Sequence, residues 1–590
     1  MKQIYVIAFF LLPFPGFSQL YIKPYGNQDS YVYVEGQFIF VEKEIDLTLN
    51  PSEHANAGIY LRDEAQLMQG NSNSENTGNG LISVFQEGDA TAYTYNYWSS
   101  PVQNTSNSLL FGNILFEPID KTNSARIKIT GELNGSANPL TVSNRWIYKF
   151  SGAEYADWVY AGNTFDINPG EGFTMKGVSG TNMNTVLYGI PNNPGNKQRY
   201  DFRGRPNSGN ITLEVNKDVS SLVGNPYPSA LDLNAFLQEN KSITGIAYFW
   251  DSSPVESHYL NEYEGGYGAY SPAAGNNGYV PAVFSKYDSN GNPKNHNGET
   301  GNYYARRYSP IGQGFLVVGD KKGSLTFKNE YRKVEKENSS TSEFKSKTIP
   351  LKIPGTENVA LLRLNIEFNN KYVRQLLLVH SEIATSGIDR AMDAQNLSLL
   401  ESDSGWLLEN ESYLINVLPF DMSDKIPLYL KLSEKTELNF KIAALENFNS
   451  EVFLFDSETG LYYNLKDQDF KIQLNEGEYH SRFKIAYVNP DLVSAKVEIE
   501  EIEDIIKPIK DYAIFQNNPF NQLEIITPTH NTFTSIALFD GTGRKIFEFR
   551  NVANQNYFEF PTSNLSNGIY IVKITGPTGT IISKKVIVSN

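Results

Sequence analysis

The chain has 590 residues, is 13% aromatic, contains no cysteine and carries a net charge of −16, from 50 Lys+Arg against 66 Asp+Glu. The missing cysteines exclude disulfides and thiolate metal sites, and the acidic balance argues against a nucleic-acid partner, whose phosphates call for basic patches. Tyr (36) and Phe (35) favour strands while Gly (45) and Pro (28) supply turns, so the expected fold is all-β and multidomain.

Met1-Lys2-Gln3 is a short basic start, and Ile4 to Pro15 is an apolar run too short to span a bilayer. Gly16-Phe17-Ser18 follows with small residues, so residues 1–18 are expected to be a signal peptide cut between Ser18 and Gln19. No later run is long and apolar enough for a transmembrane segment. Residues 19–95 contain short alternating strands, among them Tyr31 to Val34, Gln37 to Val41, Ile59 to Arg62 and Leu81 to Phe85. Their regular spacing predicts a stacked or solenoid-like β unit.

Residues 96–328 carry three landmarks twice, in the same order. Tyr95-Asn96-Tyr97-Trp98-Ser99-Ser100-Pro101-Val102 corresponds to Leu222-Val223-Gly224-Asn225-Pro226-Tyr227-Pro228-Ser229. An aromatic strand at Arg145 to Phe150 corresponds to Ile246 to Trp250, and Gly170-Glu171-Gly172-Phe173 to Gly312-Gln313-Gly314-Phe315. The expectation is a duplicated β scaffold whose two glycine segments are tight turns feeding strands with Phe173 and Phe315 buried. The phrases also resemble a recurrent scaffold of large flavobacterial surface proteins. The tryptophans Trp98, Trp146, Trp158 and Trp250 read as core. Between the second and third landmarks of the later copy lies an insertion, residues 251–308, rich in Gly, Asn, Ser and Tyr. A loop this long is usually functional, and its aromatics argue against disorder.

Residues 329–348 are rich in Lys, Glu and Ser and read as a linker. Residues 349–489 read as a β-sandwich domain, and 490–511 as a second linker. Residues 512–590 alternate toward a turn at Asp540-Gly541-Thr542-Gly543-Arg544 and again from Gly568-Ile569-Tyr570, and close on Ser583-Lys584-Lys585-Val586. This pattern predicts a small immunoglobulin-like sandwich of about seven strands.

The order and terminal position of those motifs resemble the type A C-terminal sorting domain of the Bacteroidetes type IX secretion system. The resemblance implies a sorting signal at Asp540, Gly541, Gly543, Arg544, Gly568, Tyr570, Lys584 and Lys585. It also implies a route through the periplasm to the cell surface or medium, with the translocon and an outer-membrane shuttle barrel as partners.

Chemistry is sparse. There is no His-Glu-x-x-His and no Gly-x-Ser-x-Gly, and the six histidines are scattered. After Gly314 to Gly319, Asp320 stands where a phosphate loop needs Lys. No catalytic or cofactor residues are assigned. Asp288, Asn290, Asn292 and Glu299 have calcium-loop spacing, but Pro293 replaces the turn glycine and no helices flank the loop, so a polar turn competes. Tyr263, Tyr267 and Tyr270 are candidate sugar-stacking faces; the competing reading is that they cover their own sheet. The functional expectation is a non-enzymatic secreted or cell-surface protein with an adhesive, glycan-binding or surface-layer role. The alternative is an exported hydrolase of polysaccharide or protein.

Overall fold

The computed structural model describes residues 20–70, 75–104, 113–162, 166–187, 190–192, 196–288, 291, 293–294, 299–338, 340–344, 359–490, 513–526, 534–550, 557–575 and 581–589. Ser18, Gln19, Asn290 and Asn292 lie outside them. The chain divides into two units, Met1–Val488 and Asn489–Asn590.

The first unit opens as a parallel stack. Ser30–Glu35 pairs in parallel with Ala57–Arg62, which pairs in parallel with Leu81–Ala90. Phe38–Val41 lies parallel to Gln66–Gln69, and Leu20–Ile22 parallel to Ile45–Leu47. Short turns separate consecutive strands, so neighbouring strands lie on different walls and pair in parallel with their counterparts in the next rung, as in a solenoid, until Leu81–Ala90 takes Asn196–Pro206 as an antiparallel neighbour. Period-2 alternation sends Ile59, Leu61, Ile82, Val84 and Leu67 inward, all buried. Asn76 closes the third wall, accepting from Ile45 N (2.9 Å) and Gln69 Nε2 (2.8 Å) and donating to Pro206 O (2.9 Å).

The middle of the unit is built on four crossed strands. Tyr95–Ser99 pairs antiparallel with Gly172–Lys176, placing Trp98 opposite Phe173. Ser220–Gly224 pairs with Gly314–Gly319, placing Val223 opposite Phe315. The contacts between these pairs are reciprocal: Gln313 bridges Trp98 and Glu171 bridges Val223. Ser99 N donates to Gly312 O (2.8 Å) and Gly224 N to Gly170 O (3.1 Å). Gly170 and Gly312 take φ of +86° and +69°. A Cβ on Gly172 would lie 2.9 Å from Val223 O, and one on Gly314 2.9 Å from Trp98 N, so the second glycine of each segment sits where backbones cross. Phe173 and Phe315 are fully buried. A seven-stranded sheet runs through this centre in the order Trp158–Tyr160, Tyr148–Gly152, Ser220–Gly224, Gly314–Gly319, Ile243–Ser252, Gly265–Tyr270, Tyr279–Val280.

Residues 329–344 correct the linker expectation. Arg332–Lys333 pairs with Ala230–Leu231, Asn329 Nδ2 donates to Gly70 O (2.7 Å), and Phe344 packs 4.6 Å from Trp98. The polar composition hides this burial because the polar groups are satisfied by neighbouring carbonyls.

The remainder of the first unit is one large sheet with Tyr372–His380, Ala360–Phe368 and Thr436–Glu446 along one stretch and Asp403–Leu408, Lys425–Leu432 and Phe483–Ala486 along the other. Its core is continuous with Ile246, Tyr248, Val280 and Val283 of the central sheet. Arg374 and Asp403, both fully buried, form a bidentate pair at 2.7 Å, with Asn396 Nδ2, Leu400 N and Ser404 N also donating to the carboxylate. Such a pair is tolerated inside because the lone pairs are filled. Arg390 donates to Leu237 O (2.8 Å) and Asn240 O (3.2 Å), capping the C-terminal end of the helix Leu233–Glu239. Asp389 accepts from Thr385 N (2.5 Å) as a turn residue.

The second unit is a two-sheet sandwich. Ala513–Asn517, Gln522–Ile526 and Tyr557–Pro561 form one sheet. Lys545–Arg550, Ser535–Asp540, Gly568–Thr575 and Ile581–Val588 form the other. Asp540 closes its hairpin by accepting from Thr542 N and Arg544 N (both 3.0 Å), with Arg544 Nε on its second oxygen (3.0 Å). Those hydrogen bonds, the Thr542 hydroxyl first, hold the Asp540 carboxyl down to about 2. Gly543 takes φ +84°, Tyr570 is buried, and Gly541, Gly568, Lys584 and Lys585 are exposed.

Candidate aromatic groove

Two adjoining concavities open at the Trp158–Tyr160 end of the central sheet. The first, about 370 Å³, is lined by Leu133, Asn144, Arg145, Trp146, Tyr148 and Tyr160. The second, about 320 Å³, is lined by Tyr93, Trp146, Glu256, His258, Tyr259 and Glu262. Leu133 and Trp146 belong to both, so the indole stands between them.

Local sequence positions that indole. Ser143 Oγ caps the 3-10 turn Asn144–Trp146 by accepting from Arg145 N (3.4 Å). Trp146 Nε1 donates to Leu133 O (2.7 Å), and Trp146 O accepts from Thr174 Oγ1 (2.8 Å) on the Gly172–Lys176 strand. The indole N–H is thereby spent, which leaves the ring itself as what Trp146 contributes to the groove wall. Tyr148 and Tyr160 are cross-strand partners with ring centroids 5.6 Å apart, edge to face. Tyr160 is 55% and Tyr259 71% exposed, large apolar surface for a monomer to leave open.

Beneath the groove lies Lys176, 3% exposed. Its Nζ sits 4.0 Å from the Trp146 ring centre, 4.6 Å from Tyr95 and 5.3 Å from Tyr263, and 3.2 Å from His258 Nδ1. His258 stacks on Trp146 at 4.8 Å and 11°, and its Nε2 lies 2.5 Å from Asn134 Oδ1. With Nδ1 accepting from Lys176, Nε2 carries the proton toward Asn134. Burial pulls the Lys176 amine down to about 7. Burial, then the Lys176 charge, pulls His258 down to about 4.

The sign of the resulting pH dependence is fixed. Above the unfolded lysine value of 10.5 both states are neutral and Lys176 contributes nothing. Between 10.5 and about 7 the unfolded chain takes up a proton that the folded one does not, so stability falls as pH falls; below about 7 the penalty is complete. Attraction to three aromatic faces returns part of it. Lys176→Met is therefore expected to be more stable than the parent by about 2 kcal/mol at pH 6. The advantage should shrink as pH rises through 7 toward 10, measured by urea denaturation. A less stable variant at pH 6 would mean that the cage prefers the cation.

None of the sequence-predicted tyrosines lines the groove wall, and the reading of Tyr263, Tyr267 and Tyr270 as stacking faces is corrected. Tyr263 is buried, its hydroxyl accepting from Tyr95 N (3.3 Å) and Trp250 Nε1 (3.4 Å). The Tyr267 hydroxyl lies 2.7 Å from that of Tyr97, and fully buried Tyr270 donates to Asn234 Oδ1 (2.5 Å). The insertion is not a projecting loop: Gly265–Tyr270 pairs along Ile243–Ser252 within the central sheet.

Around the calcium-spaced segment Lys286–Tyr287 pairs with Pro293–Lys294, while Asn290 and Asn292 lie outside the described residues. Glu299 instead accepts from Ser253 Oγ (3.0 Å), and Asp288 O accepts from Gly291 N (3.0 Å). Among the described residues no group of three or more His, Asp or Glu side chains could hold a metal ion. Sequence reasoning passed over the groove because it read Trp146 as core. The available signal was the period-2 aromatic run Trp146, Tyr148, Phe150 facing Trp158 and Tyr160.

Two families match the chain: "Domain of unknown function (DUF8693)" over residues 31–487 and "Secretion system C-terminal sorting domain" over residues 517–589. No curated protein matches. Among solved structures, Tp47, the 47-kilodalton lipoprotein of Treponema pallidum, aligns at 8% identity over 64% of this chain and 90% of its own, with a TM-score of 0.10. The BSP domain of a biofilm-associated protein aligns at 7% identity over 86% and 96%, with a TM-score of 0.12.

Proposed function

We propose that this chain, which belongs to the DUF8693 family and ends in a secretion-system C-terminal sorting domain, is a non-enzymatic saccharide-binding protein of the cell surface. The sorting domain makes it a type IX secretion cargo, addressed to the cell surface or the extracellular space. The translocon and its shuttle barrel are then the partners of the second unit, and an extracellular glycan the partner of the first.

The observation that carries the saccharide reading is the groove around Trp146, with Tyr148, Tyr160, Tyr93 and Tyr259 presenting aromatic faces beside Asn144, Arg145 and Glu256. Pyranose rings stack their C–H faces on aromatic rings while amide, guanidinium and carboxylate groups bind hydroxyls. The reciprocal crossing of the two Gly-x-Gly-Phe strands supports a duplicated scaffold beneath it, rigid enough to hold such a surface in place.

The test is binding of the exported chain to a glycan array, followed by calorimetry on the best ligand. Tyr160→Ala and Trp146→Ala are each expected to weaken binding about tenfold, in line with the loss of one stacked aromatic face, with Tyr160→Ala leaving the melting temperature unchanged. An array without a bound saccharide, or affinities indifferent to both changes, would sink the reading. Turnover of a bound polysaccharide would instead favour the exported hydrolase.

A further inference from the structure

We infer that the Arg145 end of the groove reads an anionic group, so that the ligand is a saccharide bearing a carboxylate or a sulfate ester. This rests on the saccharide reading above and specifies the ligand class for one of the two concavities.

Arg145 is the one charged side chain lining the first concavity. Its Nε donates to Gly131 O and its backbone N–H to Ser143 Oγ, which fixes the root and orientation of the guanidinium. Among the described residues no carboxylate pairs with it, so its two terminal nitrogens keep their donors for a ligand. Two acidic groups nearby on the chain are engaged elsewhere. Glu171 pairs with Lys149 at 2.5 Å, and Asp157 accepts from Ala153 N and Glu154 N at 2.8 Å. A planar, anchored fork beside aromatic faces suits bidentate recognition of a carboxylate or sulfate on a stacked ring.

The second concavity has the opposite character, with Glu256 and Glu262 in its wall and Glu262 already accepting from Ser257 Oγ (2.6 Å). An acidic substituent there would face carboxylates. The polarity of the groove therefore orients an acidic saccharide across Trp146, with its anionic residue over Tyr148 and Tyr160 and its neutral residues toward Tyr93 and Tyr259. At a net charge of −16 the chain as a whole repels polyanions, so the attraction must come from this local contact rather than from the overall field.

The experiment uses the full exported chain against an array carrying uronate, sulfated and neutral forms of the same oligosaccharide backbones. Acidic forms of at least one backbone are expected to bind about tenfold tighter than the neutral form, the worth of one charge-assisted pair. Arg145→Gln should erase that preference, whatever it does to the neutral affinity, and Arg145→Lys should restore part of it. Tyr160→Ala should lower acidic and neutral forms alike. Separate uronate and sulfate arms identify which anion is read. Equal binding of neutral and acidic forms, or a preference that survives Arg145→Gln, overturns the anionic subsite alone. Absence of binding to every form, with the chain folded by its melting curve, overturns the saccharide reading itself.

Discussion

Replacement of residues 253–307 by a short Gly-Ser turn is expected to leave the first unit unfolded. The segment supplies Gly265–Tyr270, which pairs with Ile243–Ser252 from Ala247 to Ser252, and Tyr279–Val280 at the sheet's end. It also supplies Ala269, Tyr270, Tyr279, Val280 and Val283, each fully buried, and Tyr304 at 2% exposure. Val280 and Val283 belong to the core shared with Leu361 to Tyr487, and Arg306 lies 4.1 Å over the Phe249 ring. Removing one buried aromatic side chain costs about 3–5 kcal/mol, and a domain holds only about 5–15 in total. Losing several exceeds any such reserve. The check is the urea transition and trypsin resistance of the 20–488 portion, both expected to disappear. A variant with an intact transition would return the insertion to the status of a dispensable loop.

The misreading of that insertion has a physical origin. A stretch dense in glycine and tyrosine reads as a loop because glycine lowers strand propensity. Here a Cβ on Gly265 would lie 2.2 Å from Trp250 Cζ2, and one on Gly268 2.1 Å from the Tyr279 hydroxyl. The glycines are the places where large rings lie flat across neighbouring strands, and the tyrosines are the rings. Composition cannot separate this packing from a flexible loop. The same blindness applies to 329–344, where Arg332 and Asn329 are buried against carbonyls of Leu67 and Gly70, residues far away in the chain. The N-terminal strands were legible as strands. Their parallel pairing shares its period-2 alternation with a hairpin, so only the spacing from one rung to the next betrayed it.

Sites followed the same division. The Gly-x-Gly-Phe segments were legible because positive φ and crowded backbones leave glycine as the residue that fits, wherever they occur. The groove was not, because whether Trp146 faces core or solvent depends on Leu133 and Glu256 to Glu262 arriving from other parts of the chain. The sorting motifs were readable because a hairpin like Asp540 to Arg544 is specified by residues within it: one carboxylate bonds two backbone N–H groups, and Gly543 takes the positive φ.

Truncation after Pro490 is expected to abolish appearance of the protein at the cell surface and in the medium while leaving the first unit folded. The sorting-domain match covers residues 517–589, and the first unit ends at Val488. The last core residue before the cut, Tyr487, is 2% exposed and its hydroxyl lies 2.7 Å from His380 Nε2, so the truncation leaves that contact in place. The melting temperature of the purified 20–490 portion should therefore equal that of the same unit in the full chain, which separates loss of address from loss of fold. Export itself is read by protease shaving of intact cells and by fractionation, with the truncated chain recovered only from inside the envelope. Val572→Asp in the full chain places a charge in the core of the second unit, where Val572 is fully buried beside Ile536, Leu538 and Val586. It should reproduce the export defect without a deletion, because the machinery must then recognise a folded sandwich rather than a linear tail. Surface levels equal to the parent for the truncation would remove the sorting assignment. Normal export of Val572→Asp with a demonstrably unfolded second unit would place the signal in the sequence of the strands instead of in their fold.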